Sequence, residues 1–92
     1  SDICWIEVEG NYSTLQTTDR KYVQKLSFSK LLPELDDQFI QIHKSVIVNR
    51  NYITKINLVN DTLLMRDRVF QIGRSFRKGL IDRLDKHKYF YS

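Results

Sequence analysis

Along most of this chain apolar and polar residues alternate in runs of about four to eight, the period of half-buried strands, and in two places the period lengthens to that of a helix. The first run, "ICWIEVEG", ends at Gly10. "YSTLQT" follows, with Tyr12, Thr14 and Gln16 on one side and Ser13, Leu15 and Thr17 on the other. Thr18-Asp19-Arg20 reads as a hairpin turn into "KYVQKL", because aspartate supports tight turns through its own side-chain hydrogen bonds. In "SFSKLLPELDD", Phe28, Leu31, Leu32 and Leu35 fall on one helical stripe, with Ser27 placed as its cap. Pro33 lacks a donor and crowds the carbonyl one turn back, so this helix is expected to be short, irregular or restarted there. Strand-like runs resume at "FIQI", "SVIVN", "YITKINLV", "TLLMR" and "RVFQIG", with turns at Asn60-Asp61 and at Asp67. From Ser75, the stripe of Phe76, Leu80, Ile81 and Leu84 predicts a terminal amphipathic helix capped by Ser75, in which Gly79 costs roughly 1 kcal/mol relative to alanine. The tail "KHKYFYS" either extends that helix or frays.

Strands joined by turns of a few residues pair antiparallel, since a parallel crossover needs about a dozen residues or more. The pattern therefore predicts a mainly β domain of antiparallel strands, with a short helix in the middle and an amphipathic helix at the end. At 92 residues this is one domain with one modest core. A hydrophobic fraction of 41%, with aromatic residues at 12% of the chain, suffices for that core and argues against a disordered chain. No apolar run approaches the roughly 20 residues that span a bilayer, and nothing in these residues resembles a signal peptide, so no membrane contact is expected of this segment. Cys4 is the single cysteine and has no internal disulfide partner; it reads as a small buried hydrophobe in a reducing, cytoplasmic setting. The chain starts in strand-like sequence without an initiator methionine, and residues 1–92 are read as one domain cut from a longer protein.

No catalytic constellation is legible. There is no Gly-rich phosphate loop, HExxH, CxxC or GxSxG. His43 and His87 are far apart, and Glu7 and Glu9 are ordinary on a solvated strand face, so neither an enzyme, a metal site nor a cofactor is expected. The charge is more telling. The net charge is +4, but from Arg66 onward eight Lys/Arg face three Asp, while residues 1–65 are close to neutral. That asymmetry points to an anionic partner.

Three bends carry the polar chemistry. In "FIQIHKSVIVN" the two runs meet at His43-Lys44-Ser45, which puts Lys44 at a turn tip and leaves His43 and Ser45 to bond the bend. "EGNYST" offers a Gly-Asn bend followed by Tyr12, Ser13 and Thr14, all able to meet phosphate or base edges. "QIGRSFRK" sets Arg74, Arg77 and Lys78 at a helix start, where cations oppose the dipole and, beside free N–H groups, make an anion-seeking end.

These same strings resemble the LytTR DNA-binding domain of LytR/AgrA-like transcriptional response regulators. The central signature is similar to "FIQIHKSVIVNRNYI", the first strands to "WIEVEGNYSTLQTTDRKY", and the last strand and helix to "FQIGRSFRKGLIDRL". The resemblance runs through essentially the whole chain and implies an elongated, mostly antiparallel β-β-β sandwich. It also implies that loops, not a recognition helix, enter successive major grooves of double-stranded DNA. Carried over by position, base contacts fall on Asn11, Tyr12 and Ser13, on Lys44 and on Arg74. Ser45, Asn49, Arg77 and Lys78 follow as phosphate contacts or as shapers of the loops. The family further implies a bacterial regulator with a receiver or other sensory domain on the N-terminal side, and a second copy on repeated half-sites. Gln41 and Lys44 stand where the family often has Arg, and Gly73 where it has a small polar residue. Lysine offers a point charge rather than a bidentate fork, which favours phosphate over guanine at Lys44. His43 is read as positioning Lys44.

Two rival functions belong to other classes. A protein-interaction module would dock a partner on Tyr12, Tyr52, Tyr89, Phe90 and Tyr91, and it gains if Lys44 and Arg74 fall on opposite faces. A single-strand binder would line one exposed sheet face with stacking aromatics.

Overall fold

Sheet formation follows the alternation closely. The computed structural model describes residues 3–84 and 90–91, the last two as backbone. The strands are β1 (Ile3–Glu9), β2 (Tyr12–Thr17), β3 (Lys21–Gln24), β4 (Phe39–His43), β5 (Val46–Asn49), β6 (Ile53–Asn57), β7 (Thr62–Met65), β8 (Arg68–Gln71) and β9 (Phe90–Tyr91). The helices are α1 (Phe28–Leu31) and α2 (Arg74–Arg83). One sheet runs β3-β2-β1-β5-β4, antiparallel throughout; the other runs β8-β7-β6-β9. β9 lies parallel on β6, Ile56 opposite Phe90 and Asn57 opposite Tyr91. The tail thus adds a strand where the sequence pattern offered only a longer or frayed helix; the rest of that tail, with His87 and Tyr89, lies outside the described residues.

Both faces of the five-stranded sheet are covered. Trp5, Ile40, Val46 and Val48 pack against Ile56, Leu63, Met65 and Phe70 of the second sheet and against Leu80 and Leu84 at α2. Ile6, Ile47 and Phe39 on the opposite face are covered by Phe28 and Leu31 of α1. A register shift between Ile3 and Trp5 lets both Cys4 and Trp5 join the inter-sheet core, and Cys4 is fully buried as expected. Arg68 latches the two sheets together. Its guanidinium grips Glu7 through two bonds of 2.6 and 2.8 Å and lies 4.6 Å from the Phe70 ring centre. Because this pair is partly exposed, its contribution is about 1 kcal/mol or less.

Pro33 acts as the sequence suggested: α1 stops after one turn and Leu32–Glu34 continues as a 3-10 turn with proline near its start. Two local expectations change. Gly73, not Ser75, is the N-cap of α2, because the Gly73 N–H is committed to the Ile42 carbonyl (2.8 Å) and the helix begins directly after it. Tyr52 belongs to a 3-10 turn, Arg50–Tyr52, rather than to β6, since the Asn49 side chain accepts the Asn51 N–H (2.9 Å) and bends the chain there.

Candidate nucleic-acid interface

The three bends share one rim, and strand direction explains why. β1 runs up to Gly10-Asn11, where Gly10 has a φ of +61° that glycine accommodates freely, and β2 descends from Tyr12. β5 lies antiparallel to β1, with Glu7 opposite Val46, so the β4–β5 turn at Lys44-Ser45 emerges at the same end. The Val8 N–H donates to the Ser45 carbonyl (2.9 Å), tying that turn to the end of β1. The Gly73 bond to Ile42 ties the start of α2 to the other side of the same turn, against the last strand of the sheet. A Cβ on Gly73 would stand 3.1 Å from a Phe76 ring carbon and 3.6 Å from the His43 Cα, so the approach is close. At ~4.8 Å per strand the five-stranded sheet makes a rim roughly 19 Å wide. α2 extends it by about its own 10 Å diameter.

His43 builds the turn tip. Its Nδ1 accepts the Ser45 N–H (3.2 Å) and sits 3.0 Å from Ser45 Oγ. Imidazole and hydroxyl are thus occupied with each other, and Lys44 is left pointing into solvent. Lys44, Arg74 and Lys78 are exposed and have no hydrogen bond or ion pair among the described residues. Arg74 and Lys78 lie one turn apart on the outer face of α2. Asn11 and Tyr12 are exposed at the β1–β2 turn.

Other expected contacts turn inward. Ser13 is fully buried and its hydroxyl donates to the Leu26 carbonyl, so it anchors the segment between β3 and α1 instead of reaching a ligand. Asn49 is fully buried as well: Nδ2 donates to the Ile3 carbonyl (2.8 Å) while Oδ1 takes the Asn51 N–H. Arg77 is half-buried against the β6–β7 turn, with Nε 3.0 Å from Asp61 Oδ1 in an ion pair off the line of a straight hydrogen bond, and Nη2 donating to the Leu58 carbonyl (3.3 Å). Asp61 itself has a φ of +52°, and its carbonyl accepts the Ile72 N–H (2.8 Å). Arg77 therefore pins α2 to that turn. One rim residue went unnoticed in the sequence. β3 also ends here, Gln24 opposite Ser13, so Lys25 belongs to the rim. Counting two successive hairpins would have revealed it.

Among the described residues no group of His, Cys, Asp or Glu has the arrangement of a metal site, and no helix is long and apolar enough to cross a membrane. The exposed aromatics Tyr12 and Tyr22 lie on opposite faces of the first sheet, because Tyr22 pairs with Leu15, three residues from Tyr12. A stacking platform of the single-strand kind does not form there.

A β-sandwich that gathers free cations on loop tips, and separates its two short helices by five strands, defines a loop-presenting domain and not a helix-turn-helix. The chain belongs to the LytTr DNA-binding domain family, whose model matches residues 1–85. Two Staphylococcus aureus proteins, from strains MRSA252 and NCTC 8325 and both named uncharacterized HTH-type transcriptional regulators, are 33% and 32% identical over 88 residues. These alignments take in 91% of this chain but 60% of each relative, so the chain spans well under two thirds of their length. A solved LytTr DNA-binding domain, from a Bacillus cereus protein described as a methyl-accepting/DNA response regulator, has a TM-score of 0.80. It covers 89% of this chain and 80% of that one at 22% identity, which is a likeness of fold.

A prediction attaches to the turn tip. Lys44→Ala should weaken binding to all duplexes nearly evenly and lower the slope of log affinity against log salt by about 1, as loss of one phosphate contact does. Fluorescence anisotropy over a salt series measures it; a loss confined to one DNA sequence would instead make Lys44 a base reader.

Proposed function

We propose that the rim formed by Asn11-Tyr12, Lys44 and Arg74 binds double-stranded DNA sequence-specifically, as the output of a bacterial transcriptional regulator with no chemistry of its own. The observation that carries this reading is the gathering of three distant bends by two backbone bonds, Val8 to Ser45 and Gly73 to Ile42, with Lys44 and Arg74 unpaired among the described residues. Lys44 and Arg74 share that rim, which is the arrangement a duplex reader needs and a docking module on the aromatics does not. The rim's extent of roughly 30 Å approaches the ~34 Å of one helical turn, so its outer loops enter successive major grooves on one side of the duplex. Arg74, at the first position of α2, reads guanine; Lys44 and Lys78 meet phosphate. Ser45, Asn49, Ser13 and Arg77 hold these residues in place. In the full regulator a receiver or other sensory domain precedes this one in the cytoplasm, and two copies occupy repeated half-sites.

Selection from a random duplex pool tests the proposal and is expected to return a defined motif. A salt titration of the selected site should then show affinity falling steeply, roughly a thousandfold between 50 and 200 mM if about six phosphates are neutralised. A pool that returns no motif, or a flat salt curve, would falsify the reading.

A further inference from the structure

Beyond the rim's three bends, a notch of about 240 Å³ opens beside the β1–β2 turn, lined by Asn11, Lys25, Leu26, Ser27 and Lys30. Lys25 follows the end of β3, Lys30 stands on α1, and both ammonium groups are exposed without a partner among the described residues. Their convergence is built rather than incidental. The buried Ser13 hydroxyl holds the Leu26 carbonyl, which fixes the backbone between the two lysines, and the pairing of Ser13 with Gln24 sets the height of β3. The Ser27 hydroxyl, bonded to that of Ser29 (3.0 Å), completes the wall. Two point charges, a hydroxyl and the Asn11 amide around an open notch match a backbone phosphodiester, with its two non-bridging acceptor oxygens and single negative charge, better than any planar ligand.

We infer that this notch is a second phosphate-binding site of the domain, seating the DNA backbone just outside the groove that the β1–β2 turn enters. The inference rests on the duplex-binding reading and deepens it. Along the rim the order becomes Lys25 and Lys30, then Asn11, Lys44, and Arg74 with Lys78, so cations flank the base-reading loops at both ends. Because the contact is to phosphate, it adds affinity without sequence preference.

The test compares the wild-type domain, a Lys25→Ala/Lys30→Ala variant and an Arg20→Ala/Lys21→Ala control on a selected duplex and on a scrambled duplex of equal length. The control removes the same charge from the other end of β3, roughly 13 Å away. The lysine-notch variant is expected to lower the salt slope by about 2 and to weaken both duplexes equally, roughly 50-fold near 0.1 M salt. The control should leave the slope unchanged. An unaltered slope in the notch variant, or an equal loss in the control, overturns the notch while leaving the rim intact. A wild-type domain that binds neither duplex overturns the rim reading and the notch together.

Discussion

Arg74→Ala is expected to weaken binding to a selected duplex by about 1–3 kcal/mol, roughly 5- to 150-fold, with the loss concentrated at one base pair. The magnitude follows from what the side chain offers. Its guanidinium is exposed, has no partner among the described residues, and starts from the first position of α2 beside a glycine whose close packing on His43 holds the backbone still. A fork so placed can bond guanine O6 and N7 together with fixed geometry, which the point charge of Lys44 does less selectively. Arg74→Lys should therefore keep most of the salt dependence and still lose the base preference. Competition with duplexes altered one base pair at a time measures both effects. An even loss at all positions would demote Arg74 to a phosphate contact.

Asn49→Ala should be the most destabilising of the changes at the expected site, by about 2–4 kcal/mol. Truncation empties the fully buried Asn49 site and strips the Ile3 carbonyl and the Asn51 N–H of their amide partners in two part-buried bonds, at about 1–2 kcal/mol for each. In a domain of this size each kcal/mol lowers the midpoint by about 4–8 °C. Thermal unfolding followed by circular dichroism checks the first half of this prediction. The second half is that the folded fraction, assayed well below the midpoint, binds DNA with an unchanged salt slope. A variant as stable as wild type with a shallower slope would return Asn49 to the list of direct contacts.

The contrast between these two residues marks where the sequence was legible. Strand positions follow from alternation and turn residues, and almost all appear where the pattern sets them, because side-chain period is a local consequence of the backbone. Pro33 likewise ends α1 through local sterics. Ser13 and Asn49 resembled surface contacts because short polar residues beside a bend suit either a ligand or a buried bond. Only the path of Leu26 past Ser13, and of Ile3 past Asn49, makes them internal partners. Arg77 had the look of a free cation until the β6–β7 turn brought Asp61 to it. Lys25 and Lys30 escaped notice for the opposite reason: residues 1–65 sum to nearly no charge, and a sum conceals two lysines that converge.

By itself, then, the sequence determined the mainly β architecture, the turn at His43-Lys44-Ser45 and the family, since each is written in residues near one another along the chain. The tertiary structure alone decided which polar groups stay free to meet a ligand. That outcome depends on bonds between segments tens of residues apart, whose energies no local period encodes.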